Sequence, residues 1–132
     1  LLTVVQIETL GAVERAEAIA AVEGVDVLFF GPDDMKIRMG IPINTPITDH
    51  PKLSEALEKT ATAARNAGGW AATVAGTSAA LEMTVGMGYR MLVGGGDIGF
   101  LRTVSASRIA EFRGVLEGFQ GDPGDGESGG VY

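Results

Sequence analysis

Apolar and polar positions along this chain switch repeatedly between a period of two and a period near 3.6. From Thr3 to Thr9 they alternate, with Val4, Gln6 and Glu8 on one side and Val5 and Ile7 on the other, which predicts a strand. Residues 11–22 change to an Ala/Glu/Arg composition with Val13, Ala16, Ile19 and Ala20 as an inward helical stripe, and Gly24 is placed to end it. Val25 to Phe30 is an apolar run with Asp26 near its start, the pattern of a strand buried on both faces. Gly31-Pro32 stops that strand, and Asp33 and Asp34 open a single helical turn reaching Met39. The stretch IPINTPITDHP holds three prolines and predicts a surface loop at residues 40–50, with the placement of a lid. Asp49 followed by Pro51 reads as a cap ahead of proline at the first helical position. The helix then runs over residues 51–66 and buries Leu53, Ala56, Leu57, Ala61 and Ala64. A third strand is predicted over Trp70–Ala75, with a third helix over Thr77–Val85 capped by Thr77 or Gly76. The fourth strand, Tyr89–Val93, closes at Gly94–Gly96, and Asp97 caps a last helix from Ile98 to about Phe119. Trp70 and the methionines read as packing residues.

The order is strand then helix, four times over, with short turns apart from one long loop. Alternation of this kind implies an α/β fold with a parallel sheet and right-handed crossovers. Four such units are half of a TIM (β/α)₈ barrel, which uses ~250 residues. The predicted architecture is therefore a parallel (βα)4 half barrel over residues 1–119, followed by a flexible Gly-rich acidic tail over 120–132. The opening LLTVVQ lies directly inside a strand pattern, which reads as a cut within a larger protein or, less simply, as a processed signal peptide.

Composition narrows the function. With 132 residues and 45% hydrophobic residues, the chain can form one domain with a real core. A net charge of -7 argues against nucleic acid and anionic membrane as partners, and no apolar run suits a spanning helix. The absence of cysteine excludes a disulfide framework, a thiolate metal site and a cysteine nucleophile, and favours a cytoplasmic setting.

The chemistry gathers at the ends of the first two strands. A crossover helix returns the chain in the same direction, so Glu8, Asp33 and Asp34 all fall on the C-terminal edge of the sheet, where α/β folds build their sites. Glu8 and Asp34 could share a divalent cation, and hard oxygen donors with room for water suit Mg²⁺ or Mn²⁺, with Co²⁺ a further option. The plainer reading pairs Glu8 with an arginine and leaves Asp34 to cap a short helix. Gly94 to Gly96 could bring backbone amides to an anion, although such a run is more simply a turn. His50 is the one histidine and sits in the long loop, where it reads as an ordinary surface residue. Arg15, Arg65 and Arg113 read as solvated helix faces; Arg38 and Arg102 lie nearer the active edge without an assigned role.

The run QIET, then EGVD, the apolar strand and GPDDM, with MG beyond it, resembles the HpcH/HpaI aldolase family, and YRMLVGGGDIGFL resembles that family's closing strand and turn. The resemblance covers the chain up to its tail. It implies a metal-dependent (class II) aldolase on a (β/α)₈ barrel, a carbon–carbon lyase acting through a pyruvate enolate on 2-keto-3-deoxy or 4-hydroxy-2-oxo acids. The implied partners are pyruvate or another 2-oxo acid and an aldehyde. By the same resemblance Glu8 and Asp34 match the metal carboxylates and Gln6 a substrate-contacting glutamine. Asp33 stands where the family carries a small residue whose backbone N–H holds the pyruvate carboxylate, so its side chain is expected to turn outward. Gly31 and Pro32 shape that loop. The family's catalytic histidine, its orienting acid and its enolate-stabilising arginine belong to the other half of the barrel, so no catalytic base is expected in this chain. A half of this kind would pair with an N-terminal half or oligomerise with copies of itself. The related citrate lyase β-subunit and malyl-CoA lyase type enzymes, and a non-catalytic metal-binding assembly fragment, are the alternatives.

Overall fold

The computed structural model describes residues 1–119; the predicted tail over 120–132 lies outside the described residues. Four parallel strands form one sheet in the order of the sequence: β1 (Val4–Ile7), β2 (Val27–Phe30), β3 (Trp70–Val74) and β4 (Tyr89–Val93). Between them run α1 (Leu10–Glu14), α2 (Ala16–Ala20), α3 (Pro32–Met39), α4 (Pro51–Asn66) and α5 (Ser78–Gly86), and α6 (Asp97–Glu117) follows β4. This is the predicted parallel (βα)4 arrangement, half of a (β/α)₈ barrel. Contacts divide the chain at Gly95, so that the sheet with α1 to α5 forms one unit and the chain from Gly96 a second. No residue of α6 is buried. Among the described residues no helix is long and apolar enough to cross a membrane.

The register sets Ile7 beside Phe30 and Phe30 beside Thr73, so alternate residues share a face across the sheet. One face carries Ile7, Leu28, Phe30, Ala71 and Tyr89, and these pack with Val13, Ala16, Leu53, Leu57, Ala61 and Ala64 of the helices. The alanines let α4 approach the sheet closely, and all five of its predicted core positions are buried, as are Thr60 and Ala63. Two buried threonines bond along the chain or across it: Thr60 Oγ1 donates to the Ala56 carbonyl and Thr73 Oγ1 to the Phe30 carbonyl. Tyr89 reaches through the core and donates its phenol to the Leu57 carbonyl at 2.9 Å, and burial pushes that phenol well above its ordinary range.

Several local predictions are corrected. The helix expected over 11–22 is two short helices that break at Arg15, which caps the end of one and the start of the next. Its N-terminus is held by Thr9, whose hydroxyl accepts from the Ala12 N–H. The single turn expected after Asp33-Asp34 is an eight-residue helix, started by Pro32 and ended by Gly40 at φ 68. At α4 the capping residue is His50, not Asp49, and no side chain caps it; the Asp49 carboxylate instead accepts from Thr48 Oγ1. Asp97 is the first residue of α6 rather than its cap. Trp70 is not a packing residue: it is 57% exposed, on the sheet face turned away from the helices.

Candidate active site

Glu8, Gly31, Pro32, Asp33 and Asp34 follow the C-terminal ends of β1 and β2, and Gln6 lies within β1. The Ile7 carbonyl accepts from the Gly31 N–H at 3.1 Å, which continues the ladder one step past the strands and sets Glu8 against Gly31. Glu8 lies directly over that glycine: a Cβ built at Gly31 would fall 2.6 Å from Glu8 Cγ and 2.7 Å from its Oε1. The space that a side chain would occupy is thus the seat of the Glu8 carboxylate, which is half-buried. Pro32 follows, buried, at the first position of α3, and Asp33 and Asp34 complete the first helical turn with exposed carboxylates. Gln6 lies beside Phe29 on the bare face of the sheet and is exposed.

The plainer reading of the two carboxylates does not describe this edge. The ion pairs among the described residues join Lys36 to Asp33, Lys59 to Glu55 and Arg108 to Glu111, and neither Glu8 nor Asp34 takes part. The cap of α3 is Gly31, with no side-chain hydrogen bond, so Asp34 does not cap it. Among the described residues no group of three His, Cys, Asp or Glu side chains gathers for a metal. By their chemistry, Glu8 and Asp34 would offer hard oxygen donors, which suit Mg²⁺ or Mn²⁺ better than zinc.

Asp33 behaves differently from its neighbour. Its Oδ1 receives Lys36 Nζ at 3.1 Å, and the same ammonium donates to the Ile43 carbonyl at 3.0 Å. Lys36 was not singled out by the sequence. The i,i+3 spacing from Asp33 was legible, but the loop folded over the lysine was not. His50 is also corrected: it is half-buried, and its Nδ1 is buried with no hydrogen-bond partner. Arg38 lines a groove with Glu14, Lys52 and Glu55, on the helical side of the sheet. At Gly94 and Gly96 a Cβ would meet nothing within 4 Å, and neither has a positive φ, so local geometry does not demand glycine there.

Residues 1–103 match the HpcH/HpaI aldolase/citrate lyase family. This chain belongs to that family. It is 32% identical over 111 residues to the hydroxypyruvate/pyruvate aldolase of Chromohalobacter salexigens, covering 84% of this chain and 42% of that protein. A 2-keto-3-deoxy-L-rhamnonate aldolase of Salmonella typhi is likewise 32% identical over 111 residues, covering 84% of this chain and 40% of its own length. Among solved structures, an HpcH/HpaI aldolase from Desulfitobacterium hafniense superposes with a TM-score of 0.74 at 34% identity, covering 85% of this chain and 42% of the other. The HpcH/HpaI chain described here therefore spans about two fifths of the length of the relatives it matches.

Proposed function

We propose that this chain is the C-terminal, metal- and oxo-acid-binding half of a class II aldolase, a carbon–carbon lyase whose (β/α)₈ barrel is completed by an N-terminal half. The observation that carries the reading is the Glu8 carboxylate seated in the space left by Gly31, three residues before Asp34, with both carboxylates free of any ion pair among the described residues. Glu8 and Asp34, outside every ion pair among the described residues, leave that edge negative and unfavourable to an anionic substrate. A divalent cation held by Glu8 and Asp34 would reverse that sign and, as a Lewis acid, stabilise the negative charge that develops on a 2-oxo acid when the adjacent C–C bond breaks or forms.

The chain's own groups orient the substrate. The first-turn N–H groups of α3 have no carbonyl within the helix to bond, and they lie at its positive end, suited to a carboxylate. Pro32 fixes the entry angle of that turn, and Gln6 offers an amide from the bare face of β1. A proton-transfer base is assigned to the other half, as the family resemblance implies; the one histidine here, His50, precedes α4 and matches no base of that family. The bare sheet face, with Val4, Trp70, Val74, Met91 and Val93 exposed, supports a partner in the form of the missing half, with oligomers of the completed barrel beyond it.

The test uses the intact protein with Mn²⁺ and pyruvate. Glu8→Ala and Asp34→Ala are each expected to abolish metal-dependent exchange of the pyruvate methyl protons and aldol cleavage, as chelation does. Full activity after chelation, or after either substitution, sinks the reading.

A further inference from the structure

The first turn of α3 carries two adjacent carboxylates that the fold treats in opposite ways. Asp34 is free of ion pairs among the described residues, whereas Asp33 is held by Lys36. The lysine is the unusual member of that pair: its side chain is 8% exposed against 67% for Asp33. An ammonium that far from water is costly unless charge and hydrogen bonds compensate it. Here it has one carboxylate and one carbonyl, Asp33 Oδ1 and Ile43 O, and Asp33, Lys36 and Ile43 all line a cavity of about 260 Å³ between α3, the long loop and the turn after β3. The loop is tied a second time where the Ile41 N–H donates to the Lys36 carbonyl at 2.9 Å.

We infer that Lys36 is a positioning residue that draws the Asp33 carboxylate toward the loop over residues 41–50 and so keeps its charge off the anionic end of a 2-oxo acid bound at the start of α3. This rests on the reading given under the proposed function. Without the lysine, Asp33 is an uncompensated negative charge on the same helical turn as the bound anion, and repulsion across that distance weakens binding. Substrate affinity is thereby coupled to the seating of the loop, since one ammonium serves both.

The experiment measures pyruvate affinity of the intact protein in the presence of Mn²⁺, with Mn²⁺ affinity read separately. Lys36→Gln keeps a donor for the Ile43 carbonyl but removes the charge; it is expected to weaken pyruvate about tenfold while Mn²⁺ affinity holds. Adding Asp33→Asn to Lys36→Gln is expected to restore most of the loss, which a lysine that merely anchored the loop would not allow. Lys36→Met provides the same charge removal should the glutamine variant fail to fold. Pyruvate affinity equal to wild type in a folded Lys36 variant, or a loss that Asp33→Asn does not rescue, overturns the proposal alone. Wild-type protein that binds no pyruvate with Mn²⁺, and whose Mn²⁺ affinity is insensitive to Glu8→Ala, removes the parent reading and this proposal together.

Discussion

The two faces of the sheet are built from neighbouring residues of the same strands, yet they lead different lives. Ile7 and Phe30 are fully buried under helices, whereas Val4, Val74, Met91 and Val93, one residue away in the pleat, are exposed. The covered face has helices whose apolar stripes match it, so its burial stabilises this chain by itself. The other face is apolar too, and although Val27 and Ala72 are buried on it, its larger side chains at Val4, Trp70, Val74, Met91 and Val93 stay open. Stability is thus concentrated on one side of the sheet, while the candidate chemistry sits at its rim, where Glu8 continues the bare face of β1. The difference teaches that this chain can fold around one face and leave the other open to the partner half proposed above.

That contrast can be broken most sharply in the core. Phe30→Ala is expected to cost about 3–5 kcal/mol, read by chemical denaturation, because it leaves a cavity under α4. At the rim, Gly31→Ala forces Glu8 out of its seat; Mn²⁺ affinity should fall by about 10- to 100-fold in a titration, while the fold survives. Tyr89→Phe is expected to cost about 1 kcal/mol through the lost bond to the Leu57 carbonyl. It should also flatten the alkaline limb of stability. The Tyr89 phenol is raised in the folded state, so its contribution is whole below the ordinary value of 10.0 and is lost as pH climbs above that value. Thermal melts from pH 8 to 11 would check this, and an unchanged alkaline limb in Tyr89→Phe would contradict it. Met91→Ala, on the bare face, should stay within about 0.5 kcal/mol in this chain alone. With the complementary half present the same change should become clearly destabilising; equal small effects in both settings would mean that nothing covers that face.

The alternation of strands and helices was legible because the period of the apolar positions changes cleanly at Gly24, Gly31, the Gly68-Gly69 pair and Gly88. The rim was legible in part. Glu8, Gly31 and Asp34 could be placed on one edge from chain direction, since parallel strands leave no freedom about which end is which. Lys36 was hidden because its partner, the Ile43 carbonyl, depends on how a proline-rich loop folds back, and no periodicity encodes that. The break at Arg15 was equally hidden, because neither glycine nor proline marks it: Arg15 lies between Glu14 and Ala16. Trp70 was misjudged for a related reason: a large aromatic signals burial only when the face it occupies is covered.

Each strand of this sheet pairs with the one made just before it, in the order β1-β2-β3-β4. A ribosome delivering this chain could therefore add strands one at a time, each finding its neighbour already present, with the closure from Phe30 to Trp70 as the longest wait. During that wait β2 is an open edge until β3 pairs with it, and the helix α4 that covers its face is emerging in the same interval. Translation speed through residues 41–66 thus becomes a variable in how cleanly the sheet assembles.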